Sequence, residues 1–134
     1  MCAIGAIMTN KEKIELLKVL PPQQCCLSDY YQDLLDKLGG IKRNYADYMT
    51  TEPLNCDAEL KRTETANFDL CCALLTLLLR EDNFAEYGCF DNRYSNGDVQ
   101  KIINRMIVVL EDHEQEIKRR LQSRAAEFLM FIND

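Results

Sequence analysis

A chain of 134 residues with 47% apolar and 28% charged side chains is long enough for one well-formed core and too apolar to be disordered. Its formal charge of −6, from 22 acids against 16 bases, disfavours a binder of nucleic-acid backbone, which needs a basic face. The longest apolar run, about 12 residues, falls short of the roughly 20 that span a bilayer.

Met1 to Ile7 is apolar but short, with no basic lead and no cleavage pattern, so residues 1–8 read as a loose extension rather than a secretory signal. Thr9 or Asn10 is predicted to cap a helix running to about Leu20, with Ile14, Leu16, Leu17 and Leu20 inward and Pro21-Pro22 as its stop. Ser28 or Asp29 is expected to cap a second helix that places Tyr31, Leu34, Leu35 and Leu38 on one face and ends at Gly39-Gly40. Ile41 to Met49 suits a third, short helix, followed by a break at Thr50-Thr51-Glu52-Pro53. Asn55 or Asp57 then opens one or two turns to about Arg62.

Thr65 or Asn67 is expected to cap the next helix, which runs to Asp82 and is apolar on every face, so protein must surround it. Asn83 to Gly97 reads as a loop, with Phe84 and Phe90 as lids on the core and Tyr87 and Tyr94 half exposed. Asn96-Gly97 makes a turn, and Asp98 caps the last helix. No glycine or proline follows, and a 3–4 spacing runs through Val99, Ile103, Met106, Leu110, Ile117, Leu121, Ala125, Phe128 and Ile132. His113 is the exception on that stripe, expected to be partly buried and hydrogen bonded. With no alternating strand pattern, the fold class is all-α: residues 9–134 form a single-domain helical bundle with a long C-terminal helix.

Unbroken, that helix would be about 50 Å long, whereas a domain of this size is only about 35–40 Å across. Two outcomes follow. Either the helix breaks near Glu111-Asp112-His113-Glu114 and folds back, or its end projects and pairs with a second copy through Leu121, Ala125, Phe128, Phe131 and Ile132.

Seven cysteines, an odd number with two adjacent pairs, point to reduced thiols and a cytoplasmic location. Cys71 and Cys72 fall in the apolar helix and are expected to be buried, while Cys89 falls in the loop and is expected to be exposed and reactive. No Cys-x-x-Cys occurs and His113 is the only histidine, so neither a metal nor a cofactor is expected. A calcium loop starting at Asp91 fails, because Arg93, Asn96 and Ile102 stand where ligands and the turn glycine belong. The chain contains no phosphate-binding glycine loop, no Gly-x-Ser-x-Gly and no His-Glu-x-x-His, and the expectation is a protein that is not an enzyme.

The acidity is concentrated between Asp57 and Gly97, which hold eight acids against four bases. One acidic face is therefore expected to bind a partner through Glu59, Glu64, Glu81, Asp82, Glu86 and Asp91. Tyr87, Arg93 and Tyr94 on the aromatic loop are a second candidate contact, since tyrosine and arginine dominate interface hot spots.

Met1-Cys2-Ala3-Ile4 is similar to the start of amidotransferases with an N-terminal cysteine nucleophile, but Ala3 replaces a glycine and those enzymes need a layered sheet. Leu78 to Phe84 and Gly97 to Ile107 resemble small uncharacterised acidic proteins carried on mobile elements and prophages of Gram-positive gut bacteria, over roughly residues 33–110. That resemblance brings no active site. It implies a setting in which small acidic proteins inhibit host defence, as anti-CRISPR inhibitors of CRISPR effector nucleases do. The expectation is a non-enzymatic interaction protein whose partner is a CRISPR effector or another basic nucleic-acid-binding protein. Direct nucleic-acid or membrane binding is not expected, and a structural or regulatory homodimer is the alternative.

Overall fold

The computed structural model describes residues 8–84 and 88–132, leaving out the side chains of residues 82–84 and 132. Among these residues lie six α-helices: α1 (Asn10–Lys18), α2 (Leu27–Leu38), α3 (Cys56–Leu60), α4 (Phe68–Phe84), α5 (Cys89–Ser95) and α6 (Asp98–Ile132). Two 3-10 turns, Tyr45–Tyr48 and Lys61–Thr65, flank α3, and the described residues contain no strand. The fold is all-α, with one long C-terminal helix, as the periodicity predicts.

α4 is the axis of the core. Cys71, Cys72, Ala73, Leu74, Leu75, Leu77 and Leu78 are all buried, because α2, α5, α6 and the first 3-10 turn cover it from different sides. Each leucine so enclosed contributes about 2 kcal/mol relative to exposure. Asn67, rather than Thr65, caps the helix: its Oδ1 accepts the Leu70 N–H at 2.8 Å. α4 also runs two residues beyond the expected Asp82.

Of the two candidate caps of α1, Thr9 is the one used, and it forms a reciprocal cap with Glu12. Thr9 Oγ1 accepts the Glu12 N–H at 3.1 Å while Glu12 Oε1 accepts the Thr9 N–H at 3.0 Å. The helix stops at Lys18, earlier than expected, because Val19 is already extended and Leu20 precedes a proline. Leu20 is therefore exposed rather than inward, while Ile14 and Leu17 are buried. α2 starts at Leu27 with Cys26 at its cap position, so Ser28 and Asp29 sit inside its first turn instead of capping it. Its inward residues Tyr31, Leu34, Leu35 and Leu38 are buried as expected.

Gly39 at φ +69 and the Gly40 N–H to Leu35 carbonyl bond of 2.8 Å close the helix in the left-handed manner. Gly40 has a further role. A Cβ built there would lie 2.6 Å from Cys72 Sγ, so only glycine lets the end of α2 approach α4 this closely. Of the short helix expected over Ile41–Met49, only the 3-10 turn Tyr45–Tyr48 forms. Asn55 caps α3 by accepting from Ala58 N at 3.0 Å.

The segment expected to be a loop contains α5. Phe90 is buried, as its reading as a core lid requires, with its ring 5.8 Å from that of Tyr31. Phe84's side chain and Tyr87 lie outside the described residues. Gly97 (φ +94) makes the turn into α6, and Asp98 is the first residue of that helix, not its cap. The extension read over residues 1–8 falls outside the described residues except for Met8.

Candidate interaction surface on the C-terminal helix

α6 has two halves with opposite surroundings. From Val99 to Leu110, the stripe Val99, Ile102, Ile103, Met106 and Leu110 is buried against α1, α4 and α5. From Glu111 onward no described side chain is buried. The helix does not break at Glu111–Glu114, which removes the fold-back alternative. Its 35 residues span about 52 Å at 1.5 Å per residue, more than the roughly 35–40 Å width of such a domain. The second half therefore projects.

Local chemistry explains why it stays helical without a covering layer. No glycine or proline interrupts it, alanine, leucine, arginine, glutamine and glutamate are frequent, and Glu116 pairs with Arg120 at 3.0 Å and with Arg119. The exposed surface is nevertheless apolar along one stripe: Ile117 is 48% exposed, Leu121 60%, Phe128 65% and Phe131 84%. Four of the five residues expected at a pairing surface, Leu121, Ala125, Phe128 and Phe131, are thus brought together on one exposed helix, and the side chain of Ile132 lies outside the described residues. His113 is exposed, contrary to the expectation of a partly buried residue, because the domain body ends at Leu110.

Two of the six acids expected on one face, Glu59 and Glu81, point inward. Glu59 is fully buried, where its carboxylate accepts from Thr50 N (2.9 Å), Thr51 N (2.7 Å), Thr51 Oγ1 (2.5 Å) and Arg62 Nη1 (2.9 Å). Burial pushes its pKa up, but the Thr51, Thr50 and Arg62 hydrogen bonds together outweigh it and bring the group down to about 2. Glu81 is also buried and accepts from Arg93 Nε and Nη2, at 3.0 and 2.9 Å. Arg93 further reaches Asp57 at 2.6 Å and Asp98 at 3.0 Å. The Glu81 hydrogen bonds, with those to Asp57 and Asp98, raise the guanidinium pKa further against the opposing effect of burial.

Arg93 is therefore a tie between α3, α4, α5 and α6 rather than a residue free to meet a partner. Tyr94 is half-buried against Tyr31, with ring centroids 6.0 Å apart. Of the remaining expected contacts, Glu64 and Asp91 are exposed, whereas Glu86, Tyr87 and the side chain of Asp82 lie outside the described residues.

A concavity of about 630 Å³ between the second 3-10 turn and α6 is lined by Asp57, Glu64 and Asp98 together with Lys61, Lys101 and Arg105. Three of these charges are engaged: Asp57 and Asp98 hold Arg93, and Arg105 Nε donates to the Ala66 carbonyl at 2.8 Å. Among the described residues no group of three or more His, Cys, Asp or Glu comes together to hold a metal, and no helix is long and apolar enough to cross a membrane.

Burial pushes the thiols of Cys71 and Cys72 up to about 11 and about 12, as their place in α4 implies. Cys89 is half-buried at the start of α5 rather than exposed on a flexible loop, and among the described cysteines Cys26 is the exposed one. No protein family, curated protein or solved structure matches the chain.

Proposed function

We propose that this protein is a non-catalytic interaction protein whose contact surface is the projecting half of α6. The observation that carries this reading is the unbroken helix beyond Leu110, with Ile117, Leu121, Phe128 and Phe131 in water. Burying the apolar tail from Phe128 to Ile132 removes several hundred Å² from water, on the order of 10 kcal/mol before entropy is counted. A patch of that size on an otherwise polar helix marks an interaction site. Inhibition of a nucleic-acid-handling enzyme by an acidic face has less support, since Glu59 and Glu81 are internal and Asp57 is tied to Arg93.

Truncation after Asp112 tests the reading. The core ends at Leu110, so the shortened chain should keep its fold and melt within a few degrees of the full chain, while losing every association the full chain shows. A large drop in melting temperature would mean that the stripe packs on its own domain, and the reading would fall.

A further inference from the structure

Resting on that reading, we infer that the occupant of the stripe is a second copy of this chain, laid antiparallel along the free half of α6. Two features of the helix select this arrangement. The domain body buries the apolar stripe of α6 up to Leu110, so that stripe is open to a second copy only in the free half, from Glu111 to the end. Overlaying two such halves head to tail sets Ile117 against Phe128 of the second copy and Leu121 opposite its Arg124 and beside its Ala125, so apolar side chains meet at both ends of the stripe and Leu121 packs on the Arg124 stem between them.

Charge then fixes the register. In this overlay Arg120 flanks the seam about 3 Å along the axis from Glu127 of the second copy, within side-chain reach, and symmetry makes the contact twice. A slip of one heptad in one direction brings Arg120 against its own counterpart. A slip in the other brings Glu127 against its own counterpart. Like charges oppose both slips. A parallel pairing in register would stack Arg124 on Arg124 within the seam. Arg120 leans on Glu116 in the single chain at 3.0 Å, and the pairing adds a second carboxylate on its other side.

The base of the projecting half supplies a landing place for the tail. Lys18 meets Glu111 at 3.7 Å, so the end of α1 stands beside the first free turn of α6. There Val19 and Leu20 are 56% and 69% exposed. In the antiparallel overlay Phe131 of the second copy arrives level with Glu114, next to that apolar shoulder. About six turns of paired helix together with the shoulder reach the roughly 1,200 Å² that a specific interface needs.

Charge reversal with mixing tests the arrangement, read by sedimentation equilibrium. Arg120→Glu and Glu127→Lys should each weaken self-association roughly tenfold by turning two attractions into two repulsions. An equimolar mixture of the two variants should recover the wild-type affinity as a heterodimer. In that heterodimer the carboxylate introduced by Arg120→Glu faces the ammonium introduced by Glu127→Lys, and the unaltered Arg120 and Glu127 face each other. If the wild type dimerises but the mixture stays as weak as either variant, the antiparallel register is overturned and the contact surface survives. If the full chain remains a monomer at every concentration, a second copy is not the occupant, whatever the truncation shows about the surface.

Discussion

Glu59 shows how a charge becomes structure. It is an acid inside the domain whose oxygens are filled by Thr50, Thr51 and Arg62. Glu59→Ala should destabilise the fold by about 3 kcal/mol, because Arg62 and two backbone N–H groups lose a buried partner. The pH dependence follows from the same contacts. Its pKa falls from 4.5 to about 2 on folding, so its contribution is complete above about pH 4.5 and disappears as pH drops towards 2. Denaturant titrations across that window should show a shallower acid limb for Glu59→Gln than for the wild type. Gly40 and Cys72 form a second residue-scale pair. Gly40→Ala should cost about 2 kcal/mol by forcing a methyl onto Cys72 Sγ, and adding Cys72→Ala should recover about 1 kcal/mol or more beyond additivity. Strict additivity would mean that the two residues do not touch.

At the scale of elements, the helices with strong local signals were legible and the ones defined by tertiary contact were not. Thr9-x-x-Glu12, Asn55, Asn67 and Gly39 each announce a helix end through a hydrogen bond made within a few residues, and each does so in the structure. α5 was hidden because it has only seven residues, lies between two glycines and owes its place to Phe90 and Tyr94 packing on Tyr31. The same limit applies to the site. The apolar stripe of α6 follows from periodicity alone, whereas the exposure of its far half follows only from the helix being unbroken. The inward turn of the two glutamates is set by tertiary partners: Thr50 and Thr51 draw in Glu59, and Arg93 gathers Glu81 with acids from positions 57 and 98, far apart in the chain. Arg93→Ala should therefore lower stability by about 3 kcal/mol, leaving Glu81 buried without its bidentate partner. A residue serving only as an exposed contact would change stability by less than about 0.5 kcal/mol.

At the scale of the whole molecule, the chain divides into a packed body and a helical arm. The body holds the core from Ile14 to Leu110, and the arm carries apolar side chains that the body cannot reach. Replacing Ile117 and Phe128 by serine should leave the melting temperature of the dilute protein within about two degrees, since neither touches the core. The most direct measurement is amide hydrogen exchange along residues 112–131 as a function of protein concentration. At concentrations where the chain sediments as a monomer, these amides should exchange far faster than those of α4, and protection should rise as the chain is concentrated. Protection as high as that of α4 in the dilute monomer would show the arm packed on its own body, and the account of α6 as an interaction surface would be wrong.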